Sequence, residues 1–251
     1  MNAIHDTWIM AKRSLLHTFR SMDTIITVVA MPIGIMLLFV YVFGGALDTG
    51  AVKYIDFVVP GVVIMTVVSG IAYAAFRLSL DVNKGFINRF RSMPVSPSSI
   101  LGGQVLSSVL SNMFSVFLVI LVALLIGFRS SADFVAWLVF IGILILLTTA
   151  LTWVAVFFGL AAKTAEGAGA FSYILLGMVF VSSAFIPTAK MGPALKAFAN
   201  NQPFTPIIQT LRSLLVSGNA GNDVWLAVSY CVAILVIAYL LALRMYKSKA
   251  I

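Results

Sequence analysis

Long apolar stretches alternate with short charged ones along the chain, and the gaps between ionisable residues turn this pattern into elements. An ionisable group at the centre of a bilayer costs at least about 2.5–3.5 kcal/mol, so a membrane span is a stretch that avoids one. Six gaps are long enough: Thr24 to Leu47, Phe57 to Phe76, Ser92 to Phe128, Phe134 to Ala162, Gly167 to Ala189, and Val224 to Leu243. Each reaches the roughly 20 residues that cross about 30 Å of hydrocarbon. Pro94, Pro97 and the pair Gly102 and Gly103 belong to the entry of the third, which leaves a span from Gln104 to Gly127.

Three further segments carry a helical period without the length to cross. In residues 1–23, Trp8, Ile9, Leu15, Leu16 and Phe19 share one side of a helix, and Arg13, Ser14, His17 and Arg20 share the other. That is an interfacial helix, with a loose terminus as its alternative. In residues 84–93, Phe86, Ile87, Phe90 and Met93 fall in one arc, while Lys84, Asn88, Arg89, Arg91 and Ser92 fill the rest. Pro94 and Pro97 bound this helix. It suits a membrane surface or a groove on a partner protein. The stretch 190–222 is too apolar for a plain loop. Thr205 is placed as its N-cap, Pro206 at the first helical position and Gly218 as its stop. Ile207, Ile208, Leu211, Leu214 and Leu215 then line one face, opposite Gln209 and Arg212. A dozen residues span only about 18 Å, so this segment dips into or lies on a leaflet.

Composition makes the membrane reading firm: 61% of residues are hydrophobic and 10% charged, against roughly 45–50% and about 25% in soluble domains. The net charge of +8 does not indicate nucleic acid, because the basic residues sit between apolar runs rather than on one soluble face. Their distribution gives the topology instead. The N-terminus, the 77–99 loop, the 163–166 loop and the C-terminus hold eleven of the 16 Lys and Arg; the opposite side holds Lys53, Arg129, Lys190, Lys196 and Arg212. The positive-inside rule puts both termini in the cytoplasm. The expected fold is an all-α membrane protein forming one domain over 1–251. It has six transmembrane helices, an N-terminal interfacial helix, a cytoplasmic helix at 84–93 and an outer re-entrant helical segment at 190–222 before the last span.

Catalytic chemistry is missing at depth. His5 and His17 both precede the first span, and all eight acidic residues lie at span ends. This disfavours an intramembrane protease or a carrier built on buried carboxylates. Cys231 is alone, so neither an internal disulfide nor a cysteine metal site is available. GLAAKTAEG, from Gly159 to Gly167, looks like a phosphate loop, but Ala162 stands where glycine must precede the lysine. No catalytic residue, metal site or cofactor is expected in this chain.

RFRSMPVSP from Arg89 to Pro97, continuing as SSILGGQVL, resembles the cytoplasmic signature of ABC type 2 permeases. PFTPIIQTLR from Pro203 to Arg212 resembles their last outer helix. The nearest branch is the daunorubicin-resistance-type drug permeases. The resemblance implies a half-transporter without an ATPase site of its own. Two six-span subunits, as a homodimer, form the pathway, and two separate ABC ATPase subunits bind ATP and magnesium underneath. It makes 84–93 a coupling helix that grips the ATPase through Lys84, Phe86, Ile87, Arg89, Phe90, Arg91 and Met93. In the resembling family the first, second and fifth spans line the dimer interface, which nominates Met31, Met36, Met65, Tyr73, Phe180 and Phe185 for the substrate pathway. Phe204, Ile208, Leu211 and Arg212 would form an outer gate. The cargo would be a hydrophobic or amphipathic compound, drug-, lipid- or glycolipid-like, expelled across a bacterial or archaeal cell membrane. The alternatives are a channel, which needs a polar pore lining that the spans do not show, or an assembly protein, which does not need paired cytoplasmic and outer helices.

Overall fold

The computed structural model describes residues 26–45, 53–83, 97–219, 221 and 223–249. The interfacial helix expected at 1–23 and the cytoplasmic helix expected at 84–93 lie outside the described residues. Every regular element among the described residues is helical. Among the described residues, five helices are long and apolar enough to cross a membrane: α1 (Ile26–Phe43), α2 (Tyr54–Asn83), α3 (Pro97–Leu125), α4 (Phe134–Ala161) and α8 (Val224–Lys249). α5 (Ala165–Phe180) is apolar but shorter. A 3-10 turn at Thr188–Lys190, α6 (Pro193–Asn201) and α7 (Phe204–Ser217) connect α5 to α8.

α2 is the hub, packed against α1, α3, α4, α5 and α7. Its sequence has no polar stripe between Phe57 and Ser69, and a helix that is apolar all round is buried all round. Val58, Val59, Val62, Val63, Val67 and Val68 are fully enclosed. Glycines let its neighbours approach, since membrane helices associate by close packing rather than by expelling water. A Cβ added at Gly61 would lie 2.7 Å from the Cβ of Ala184, and one at Gly70 would strike the Asn112 amide. α4 and α8 form the other broad contact, with Trp153 and Tyr239 edge to face at 4.8 Å. Leu78, Leu101, Val105, Val156, Leu160 and Ala242 form a separate cluster toward the C-terminal ends of α2, α4 and α8.

Local chemistry explains where the helices start, stop and deform. Pro32 has no N–H for the Val28 carbonyl, and α1 takes a wider π turn over Ile26–Ala30 before resuming as an α-helix. Asp133 caps α4 by accepting from the Ala136 N–H at 2.7 Å, and Thr164 caps α5 by accepting from the Gly167 N–H at 3.1 Å. The Lys163-Thr164 pair thus ends in a helix cap. α7 stops at Gly218, whose φ of +70° is left-handed.

Some boundaries differ from the charge-gap pattern. α2 runs on through Arg77 and Asp81 to Asn83, because a charge ends a span but not a helix; Ser79 Oγ and Asn83 Nδ2 donate to the Thr164 and Lys163 carbonyls at 3.3 and 3.4 Å. α7 begins at Phe204, with Pro203 rather than Thr205 at the cap position. Pro203 already has helical backbone angles, which moves the start forward and leaves the Thr205 hydroxyl buried inside the first turn. α5 and its following turn run beside α2. Gly169 faces Ala72 and Phe76, and Phe185 meets Tyr54, so this segment covers about 33 Å of α2 at 1.5 Å per residue.

Candidate functional site

Four segments far apart in the chain converge beside the first turn of α2: that turn itself, the loop after α3, the turn after α5, and α7. The apolar face of α7 does not rest on a leaflet. Phe204, Ile207, Ile208, Leu211, Leu214 and Leu215 are buried against α2, α4, α5 and α8. The hydrophobic period of the segment therefore seats it on the ends of the bundle.

Arg212 pins this cap. Its Nε donates to the Phe57 carbonyl at 3.0 Å, and its Nη2 donates to the Ser183 carbonyl and, at 3.5 Å, to that of Ala184. The guanidinium carbon lies 3.7 Å from the centre of the Phe57 ring, a cation–π contact. No carboxylate among the described residues pairs with it. The fork of the guanidinium suits it to two backbone segments at once. The carbonyls beyond a helix end are electron-rich and short of donors, so they stand in for an acid. Burial lowers the guanidinium pKa to about 10, which still leaves it protonated at neutral pH.

Around the clamp, further bonds close the same end. Tyr54 Oη donates to the Phe185 carbonyl at 3.2 Å. Ser130 Oγ and the Ser131 N–H both donate to the Leu215 carbonyl, at 2.8 and 3.0 Å, completing the last turn of α7. The Arg129 N–H donates to Asp56 Oδ1 at 3.2 Å, and Gln202 Nε2 donates to the Met178 carbonyl at 2.9 Å. Phe185 stacks between Phe39 and Phe180, with ring centres 4.5 and 5.0 Å away.

The residues nominated from sequence fall into three groups. Phe204, Ile208, Leu211 and Arg212 come together in this cap. Of the six pathway candidates, Met36, Met65 and Phe185 are enclosed within the chain, whereas Met31 and Phe180 face outward at 50% and 42% exposure. Tyr73 is half-buried and accepts from Arg77 Nη1 at 3.4 Å. Lys84, Phe86, Ile87, Arg89, Phe90, Arg91 and Met93 lie outside the described residues. The pattern of charges missed Asn112, the one asparagine between Asn88 and Asn200. It is buried in the middle of α3, within a group of hydroxyls on α3 and α4.

The profile of the family described as ABC-2 type transporter matches residues 5–216, a range that includes the whole clamp. The chain belongs to the ABC-2 type transporter family. This family member is also 28% identical over 245 residues to the daunorubicin resistance ABC transporter permease protein DrrB1 of Streptomyces coeruleorubidus; the alignment covers 94% of this chain and 86% of the relative. It is accordingly a multi-pass membrane protein of the permease type.

Proposed function

We propose that this ABC-2 chain is the membrane-spanning subunit of an ATP-driven exporter. Two copies form the pathway, and a separate ABC ATPase, which carries the ATP and magnesium, docks on Lys84, Phe86, Ile87, Arg89, Phe90, Arg91 and Met93. The chain itself holds no cofactor. α5 with its following turn supplies a sixth crossing, which leaves both termini in the cytoplasm of a bacterial or archaeal cell. The cargo is a hydrophobic or amphipathic compound, drug-, lipid- or glycolipid-like; the name of the relative supports the drug end of that range. The cargo moves along the seam between copies, where Met31 and Phe180 face outward.

The observation that carries this reading is the Arg212 clamp. It joins α7 to two separate elements, α2 through Phe57 and the turn after α5 through Ser183 and Ala184. A tilt of α2 relative to α5 cannot keep both sets of bonds. Movement started by the ATPase at the far end of α2 therefore releases α7 at this end, and Phe204, Ile208 and Leu211 leave with it. The test joins the cap to the turn covalently. Arg212→Cys and Ser183→Cys are introduced on a Cys231→Ala background and bridged by a flexible bifunctional methanethiosulfonate, which forms a reducible disulfide at each cysteine. Export by the permease–ATPase complex should stop on bridging and return on reduction. Unchanged export by the bridged complex would overturn the gate.

A further inference from the structure

Hydroxyls within membrane helices ordinarily bond to their own backbone one turn back. Thr66, Ser69, Ser115, Thr149 and Thr152 do so here, donating at 2.7–3.0 Å. Thr148 does not. Its Oγ1 is buried without a hydrogen-bond partner among the described residues, as are Ser111 Oγ and Asn112 Oδ1. Asn112 is 2% exposed, and its Nδ2 donates to the Ser108 carbonyl at 2.9 Å. Only the amide NH2 can make that bond, so the end left unpaired is the acceptor.

Asn112 and Thr148 share one place. Ser108 Oγ and Thr152 Oγ1, 3.3 Å apart, set the register of antiparallel α3 and α4. One turn further along each helix, Asn112 and Thr148 come opposite one another. α2 closes the junction at Gly70, where any Cβ would strike the amide. Gly70, Asn112 and Thr148 each sit near the middle of their helices, and so at mid-depth of the membrane. An unpaired polar group there costs several kcal/mol, and leucine would fill the space of Asn112 without that cost. Polar groups kept at such depth mark function.

We infer that Asn112 and Thr148 form a hydrogen-bonding subsite that opens onto the cargo path and takes an uncharged hydroxyl or carbonyl group of the amphipathic compound when α3 parts from α2 at Gly70. One obligate acceptor and one hydroxyl that both donates and accepts are the complement of such a group. With no charge among them, they do not select an ion. The inference rests on the exporter reading, because the ATPase-driven tilt of α2 proposed there is what would part it from α3.

The test uses the permease–ATPase complex in lipid nanodiscs, with Asn112→Cys or, separately, Thr148→Cys on the Cys231→Ala background. The probe is a small water-soluble methanethiosulfonate. Modification should be about tenfold or more faster during ATP turnover than without nucleotide, the ratio expected when a minor open state becomes common. Equal rates in the two conditions, whether fast or absent, would overturn the subsite. Asn112→Leu should raise the melting temperature, by removing the unpaired amide, while lowering daunorubicin export. A lower melting temperature with undiminished export would assign Asn112 to packing and overturn the inference. A wild-type complex that exports no daunorubicin would instead count against the drug-like cargo, while the thiol measurement still decides the subsite.

Discussion

Replacing Arg212 with methionine keeps the apolar stem of the side chain and removes the fork. Two charge-assisted bonds, to Phe57 and Ser183, are lost, each contributing about 1.5–3 kcal/mol. The contact with the Phe57 ring, about 1–2 kcal/mol for a desolvated cation, goes with them. Against this, a guanidinium without a carboxylate partner no longer has to be desolvated, a gain of several kcal/mol. The carbonyls decide the balance. Phe57 lies within α2 and keeps its helical donor, but Ser183 sits in the turn beyond α5 and loses the side chain that served it. The net loss is about 2–5 kcal/mol, one orphaned carbonyl plus the ring contact. At about 2–4 °C per kcal/mol for a chain of this size, Arg212→Met should melt about 4–20 °C below wild type. Arg212→Lys, which keeps the charge but cannot fork, should fall about halfway. Thermal unfolding in lipid nanodiscs measures both. If Arg212→Met melts with wild type or above it, the clamp stabilises nothing, and α7 is held by its apolar face alone.

Other contacts give independent expectations. Gly61→Ala would place a Cβ 2.7 Å from the Cβ of Ala184 and 2.9 Å from its carbonyl oxygen, so it should lose about 1–3 kcal/mol; Ala184→Gly as a second substitution should restore part of that in the same melting assay. Thr164→Ala removes the cap of α5 and should lower stability by about 1 kcal/mol, with Thr164→Ser restoring it. Arg89→Glu combined with Phe90→Ala should insert into the membrane normally but fail to retain the ATPase on affinity purification; full retention with undiminished transport would remove the docking role of residues 84–93.

The helices themselves are legible in the sequence because hydrocarbon excludes charge. α4, bounded by Asp133 and Lys163, shows this well: the polar residues that end the span also cap it or follow it directly. The continuation of α2 past Arg77 is not legible, because it depends on the loop at Lys163 and Thr164, some eighty residues away, accepting its last polar side chains. The amphipathic period of α7 is plain, yet period alone does not distinguish a face turned to lipid from one turned to the bundle. That distinction came from the partners of Arg212, spread over Phe57, Ser183 and Ala184. Asn112 escaped notice for a related reason. Counting charges passes over an amide, and its neighbours Gly70 and Thr148 lie on other helices.

ATP-driven movement of cargo tests the account most directly. The chain and its ABC ATPase, reconstituted together in inside-out vesicles, should accumulate an amphipathic compound such as daunorubicin only with ATP and magnesium, and not when either subunit is omitted. Flux of solutes or ions down their gradients through the chain alone, without ATP and without the ATPase, would contradict the account and make the protein a channel.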